Sequence, residues 1–226
     1  MKHLMITLVF TGILISCNST DKKKNISPES SNNETSIENS SKEVAKRLST
    51  IDTDEALIAT ALMAAPKESR SGSTVIGYNM AGEFVTLKEG SNEFICLADD
   101  PKKEGFSAAC YHKDLEPFMA RGRALRAEGK TMQEIMAIRG EEVKSGKLEI
   151  KTGTTSHIYF GSSAMYDPEN SEVEGAQYRY VVYMPWATSE STGLPEAPIS
   201  SNHPWIMNPG THRAHIMISP LKVDLD

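Results

Sequence analysis

Four of the six histidines fall in the C-terminal third of the chain, at His157, His203, His212 and His215. His212-Arg213-Ala214-His215 is the one constellation there whose residue types could carry chemistry. Two imidazoles, a third from His203, and a thioether from Met207 or Met217 would make a donor set suited to copper or zinc. Spacing decides whether they can meet. On a helix an i, i+3 pair shares a face, whereas on a strand the two side chains point to opposite faces. The flanking residues read as a strand over roughly Arg213–Ser219, so a shared ion requires His212 to lie in the preceding turn. The simpler reading makes these histidines surface residues plus one hydrogen-bonded core imidazole. The metal reading, a copper or zinc binder or a metal-dependent hydrolase centred on His203, His212 and His215, requires the three side chains to converge.

Other catalytic signatures are missing. The chain has no G-x-S-x-G elbow, no H-E-x-x-H and no P-loop. What it has instead are two long stretches rich in Ser, Gly, Pro and Glu, Gly161–Gly175 and Ala187–Gly210. Loops of that length are uncommon in a compact domain unless they serve a function or move. In or beside them lie Tyr166, Trp186, Trp205 and His203, residue types that favour ligand contact. A formal charge of −6 disfavours nucleic acid as a partner. With no catalytic signature, these loops favour a non-catalytic binding or structural module.

The elements that must position these residues follow from periodicity. Ser41 can cap a helical turn carrying Val44, Leu48 and Ile51, and Asp52 with Glu55 reads as a capping box for a helix over Ala56–Ala65 that Pro66 stops. The period then switches to two. Thr74–Tyr78, Phe84–Lys88 and Glu93–Leu97 read as three antiparallel strands in a meander, with turn residues between them. Pro117 opens a further helix that Gly129 ends, with Phe118, Gly122 and Leu125 on one stripe. Thr131 and Glu134 form a capping box for the next, with Met132, Ile135, Met136 and Val143 inward. Arg121, Arg123, Arg126 and Arg139 make this hairpin basic, and Glu116, Glu128, Glu141 and Glu142 are available to pair with them. An anion-binding face is the sharper alternative. Strands return at Leu148–Lys151, Ser156–Phe160, Ala176–Met184 and Arg213–Ser219.

The N-terminus has a different character. Met1-Lys2-His3 precedes an apolar run from Leu4 to Ile15, which is too short to span a bilayer; that takes about 20 residues. Leu14-Ile15-Ser16-Cys17 resembles the lipobox of bacterial lipoproteins. The resemblance implies that residues 1–16 are a signal peptide, removed to leave Cys17 as a lipidated first residue. It also implies that the protein is held to a membrane in the cell envelope. Asn18, rather than an aspartate, follows Cys17, and by analogy this points to the outer membrane with the protein facing the periplasm. From Asn18 to Ser41 half of the residues are Ser or Asn, and only Ile26 and Ile37 are strongly apolar. Such a stretch cannot offset its ordering entropy by burial, and reads as a tether. With Cys17 lipidated in an oxidising compartment, Cys96 and Cys110 remain as an even pair, which predicts a disulfide.

The body, residues 42–226, reads as one domain. Ala64-Ala65-Pro66, Glu89-Gly90-Ser91-Asn92 with Cys96, Cys110 and His215-Ile216-Met217 resemble a group of uncharacterised secreted bacterial proteins. That resemblance spans Ala56 to Pro220 and brings no activity with it. The expected architecture is α+β: a small antiparallel sheet with helices packed on one side, one disulfide and long C-terminal loops. The expected partners are a membrane, through the lipid, and a small ligand, a glycan or another envelope protein, with no cofactor required unless copper or zinc binds.

Overall fold

The structure is a computed structural model in which residues 47–220 are described. Cys17, the lipobox and the Ser/Asn-rich stretch lie outside the described residues. The chain runs β1 (Ser49–Thr50), α1 (Asp54–Leu62), β2 (Thr74–Tyr78), β3 (Phe84–Lys88), β4 (Phe94–Leu97) and β5 (Phe106–His112). It continues through α2 (Glu116–Ala127), α3 (Met132–Lys144), β6 (Thr155–Gly161), β7 (Met165–Tyr166), β8 (Gln177–Tyr183), α4 (Ser189–Thr192), β9 (Trp205–Met207) and β10 (His215–Ile218). The class is α+β. Eight strands form one mixed sheet in the order β3-β2-β4-β5-β6-β8-β10-β9, and β1 pairs with β7 in a second, two-stranded antiparallel sheet.

Helix α1 begins one residue later than a cap at Asp52 would place it. Thr53 is extended and its hydroxyl accepts the Ala56 N–H at 3.1 Å, while the Asp52 carboxylate accepts from Thr50 Oγ1 at 2.7 Å. Leu48 and Ile51 flank a strand rather than continuing a helical turn, because Ser49 and Thr50 pair with Tyr166 and Met165. After Pro66 the chain coils into a 3₁₀ segment, Lys67–Gly72, and Arg70 reaches back to the carbonyls of Ala65 and Met63. Those carbonyls follow the end of α1 and have no helical partner.

The meander expected of β2, β3 and β4 is replaced by a mixed arrangement. β2 and β3 are an antiparallel hairpin, but β4 lies parallel to β2 on its other edge. The Ser91 and Asn92 N–H groups donate to the Gly72 carbonyl, carrying the chain across the base of β2 before β4 begins. β5, not foreseen from periodicity, then lies near the middle of the sheet between β4 and β6. Its Ser107-Ala108-Ala109 core lacks the β-branched residues that mark a strand. Small residues serve here because α1 packs directly on them.

Alternation along β5 divides the interior in two. Phe106, Ala108 and Cys110 join Leu57, Ala61, Val75, Cys96 and Tyr159 under α1. Tyr111, on the opposite face, joins Leu115, Phe118, Val181, Tyr183, Trp205 and Met217 under α2 and α3. The α2–α3 hairpin thus keeps to one side while α1 covers the other, and both faces of the sheet are packed. Cys96 and Cys110 sit opposite one another on β4 and β5 and are joined as a disulfide, fully buried on the α1 face.

Helix α3 has the expected capping box, with Thr131 and Glu134 each accepting from the other's backbone. Its inward stripe is different. Ile135, Arg139 and Glu142 are buried, Met136 and Val143 are half-buried, and Met132 is 53% exposed. A long, charged residue occupies a position where periodicity favoured an apolar one. Residues 148–151 are not a strand: Leu148 and Ile150 fill the core on the α2–α3 face in irregular conformation.

Candidate functional site

Each of the three candidate metal ligands sits in its own local surroundings. His203 Nδ1 donates to the Pro204 carbonyl at 2.6 Å. His215 is buried on β10, where Nδ1 donates to the Arg213 carbonyl at 2.7 Å and the ring lies 5.6 Å from that of Tyr183. His212 does lie in the preceding turn, closed by the Ala214 N–H on the Thr211 carbonyl, but its ring points into the helices. Among the described residues, no group of three or more His, Cys, Asp or Glu is placed to hold a metal ion. A shared site on His203, His212 and His215 is therefore not formed. Of the possible thioether ligands, Met217 is in the core and Met207 is exposed. His157 lies on the opposite sheet face beside Phe94 and Tyr180.

The aromatic trio separates in the same way. Trp205 is buried on β9 in the core below α2 and α3, and Tyr166 packs from β7 against the α1 core. Trp186 alone is presented, with 44% of its surface exposed. Its backbone is left-handed, with φ of +68°. For a bulky residue this conformation costs about 1–3 kcal/mol and is tolerated only when surrounding bonds dictate it. They do: its N–H donates to Thr211 at 2.8 Å, next to the Met184–Ala214 bond that extends the β8–β10 ladder. The Trp186 ring leans on His212, centroid to centroid 6.4 Å.

Beneath Trp186 lies a cluster that periodicity did not reveal. Arg139 enters from α3, 8% exposed, with its guanidinium carbon 4.0 Å from the centre of the Phe118 ring and Nη1 donating to the Phe118 carbonyl at 3.2 Å. His212 enters from the turn, 6% exposed, its ring 6.0 Å from the same phenyl ring. Arg139 Nε and His212 Nε2 are both buried without a hydrogen-bond partner; the third such atom among the described residues is Arg179 Nε, on β8. Glu142, one turn beyond Arg139, is bound to Arg121, and Arg123 is paired with Glu116. The expected pairing of the hairpin arginines thus holds for Arg121 and Arg123. Among the described residues it leaves Arg139 without a carboxylate.

Burial pushes His212 down to about 4, helped by the charges of Arg139 and Arg213. Burial also pulls Arg139 down to about 10, with Arg213 adding to the effect. His157 and His215 are lowered too, mainly by burial. The imidazole of His212 is therefore neutral in the fold but takes up a proton in the unfolded chain below about pH 6.5. Its contribution to stability is complete above that pH and is lost as the pH falls towards 4, amounting to about 3 kcal/mol. His212→Gln should flatten the fall in urea midpoint between pH 7 and pH 4.5. An unchanged slope would mean that His212 is solvated.

A sequence signal for this cluster did exist, in the glycines. Gly122 and Gly140 stand in the interiors of α2 and α3, where glycine costs about 1 kcal/mol relative to alanine. A Cβ on Gly122 would lie 2.8 Å from Arg139 Nη1, and one on Gly140 would lie 3.2 Å from His212 Nδ1. The two gaps admit the guanidinium and the imidazole.

Open grooves also lie on the surface of the described residues. One, of about 350 Å³, runs between α2 and α3 past Ala120, Arg121, Glu142 and Leu148. Another, of about 300 Å³, is lined by His112, Asp114, Lys151 and Thr152. In the latter the polar groups are occupied with one another, since Lys151 pairs with Asp114 at 2.8 Å and His112 Nδ1 accepts the Asp114 N–H.

No family model, curated protein or solved structure matches the chain. Among the described residues, no helix is long and apolar enough to cross a membrane.

Proposed function

We propose that this chain is a lipid-anchored, non-catalytic binding module of the cell envelope, held through Cys17 and engaging a glycan with Trp186. The observation that carries the binding half is Trp186 itself: an exposed indole on a strained, left-handed backbone, fixed by hydrogen bonding and braced by His212. Strain of that kind persists where the position of a side chain matters more than the stability it costs. An indole face is apolar and its rim polar, which suits the alternating C–H and O–H surfaces of a sugar ring. The anchoring half rests on Leu14-Ile15-Ser16-Cys17, with the Ser/Asn-rich stretch giving the domain reach from the outer membrane into the periplasm.

Both halves can be tested in the full chain. Detergent phase partitioning should place the protein with the membrane fraction and release the Cys17→Ser variant to the aqueous phase. Titration with neutral oligosaccharides should quench tryptophan fluorescence, and Trp186→Ala should abolish the response and weaken binding about tenfold or more. Quenching that persists in Trp186→Ala would sink the platform. Turnover of ester, peptide or glycoside substrates, lost on substituting a loop residue, would sink the non-catalytic reading.

A further inference from the structure

We propose that the junction of α2, α3 and the turn before β10 is an oxyanion site, in which Arg139, Arg213 and His212 receive a phosphate or carboxylate group. The site does not depend on what Trp186 binds.

Charge and desolvation make the first argument. A guanidinium has no neutral form at ordinary pH, so burying one without an anion forfeits most of its hydration. Arg139 is more than nine-tenths buried, retains one bond to a neutral carbonyl, and leaves Nε unused. Its neighbours add to the problem. Arg213 and Arg126 both lie close enough to lower its proton affinity, while Tyr183 and Glu142 act in the other direction. Glu142 is already committed to Arg121 through bonds of 3.0 Å. Arg213 is half-buried, and its guanidinium forms no ion pair among the described residues. The result is a positive centre with no carboxylate of its own among the described residues, beside the aromatic rings of Phe118, Tyr183 and Trp186, which keep the local dielectric low.

Donor geometry makes the second. His212 is as buried as Arg139, rests on the same phenyl ring, and also leaves a ring nitrogen without a partner. The large majority of buried side-chain polar atoms are hydrogen-bonded, so two unpartnered nitrogens on side chains that both meet the Phe118 ring point to a missing partner. An oxyanion provides what both lack: lone pairs for an Arg Nε–H and an imidazole N–H, and negative charge for two guanidinium groups. The helix glycines make the third argument. Gly122 and Gly140 each forgo the helix stability an alanine would give, and what they admit is the guanidinium and the imidazole. Packing alone would be better served by an apolar residue at position 139.

The experiment is thermal unfolding of the full chain in detergent, at constant ionic strength maintained with potassium chloride. Inorganic phosphate and glucuronate are titrated separately. A ligand at about 100 times its Kd should raise the midpoint by roughly 5–10 °C. A response to phosphate would point to a phosphate ester, and a response to glucuronate alone would point to an acidic sugar. Either supports the site if Arg139→Met and Arg213→Gln each remove it while Lys144→Gln, on the solvent side of α3, keeps it. Arg139→Met should fold and, in chloride alone, melt at or above the parent temperature, because an unpaired buried charge has been replaced by an apolar chain. No shift with either anion would overturn the proposal, as would an equal shift in Arg139→Met. Loss of sugar quenching in Trp186→Ala with the anion response intact would separate the two sites.

Discussion

Phe118→Ala should lower the free energy of unfolding by about 3–5 kcal/mol, the range for truncating a buried phenyl ring. Phe118 is 1% exposed, and three different groups rest on it. Tyr183 meets it edge-on at 6.3 Å, His212 at 6.0 Å, and the Arg139 guanidinium lies over its face at 4.0 Å. A desolvated cation over an aromatic face gains about 2 kcal/mol or more. Removing the ring therefore opens a cavity and also takes away the strongest compensation Arg139 has. Urea unfolding measures the loss, and a double-mutant cycle with Arg139→Met isolates the cation–ring part, expected at about 1–2 kcal/mol. A loss below about 1.5 kcal/mol with no coupling would show that the helices close over the gap and that Arg139 finds solvent.

Removing the Cys96–Cys110 disulfide should cost about 3 kcal/mol, the chain-entropy value for a loop of about 15 residues. The bridge joins facing positions on β4 and β5, next to a polar turn whose Lys102, Lys103 and Glu104 are exposed. β5 is where the two cores meet, since α1 packs on one of its faces and Tyr111 faces the α2 side. Loosening the β4–β5 hairpin should therefore lower global stability, not just fray one loop. The comparison is between the oxidised protein and the Cys96→Ala/Cys110→Ala variant in urea. A lower midpoint with an unchanged slope would bear this out. A loss under about 1 kcal/mol would mean that strand pairing alone holds the hairpin.

Much of the local structure was legible in residue order because local physics produces it. The Thr131–Glu134 box, Pro117 and Gly129 start and stop their helices through bonds made within one or two turns. Thr74–Tyr78 and Phe84–Lys88 alternate as any half-buried strand must. The pairing of Cys96 with Cys110 follows from there being only two cysteines beyond Cys17. Asp52 and Glu55 match the capping-box pattern, but Thr53, one residue on, takes the cap by accepting the Ala56 N–H. β5 is not legible in residue order because its small residues, packed against a helix, carry little period-two signal.

The site depended on contacts distant in sequence. Arg139 is surrounded by acidic residues along its own helix, so composition assigns it an exterior ion pair. Only the packing of α3 against Phe118 and the turn before β10 turns it inward, and Arg121 removes the carboxylate it might have shared. His212 and His215 are three residues apart, yet their side chains answer to different surroundings, one to the helices and the other to the sheet. That Trp186 faces solvent goes with its left-handed bend, held by its N–H on the Thr211 carbonyl at the end of the β8–β10 pairing. Caps, turns and alternation lie within reach of a few residues, so residue order discloses them. Burial of a charge, convergence of ligands and exposure of an indole are set by neighbours some 20 to 90 positions away, and they emerge only when the chain has folded.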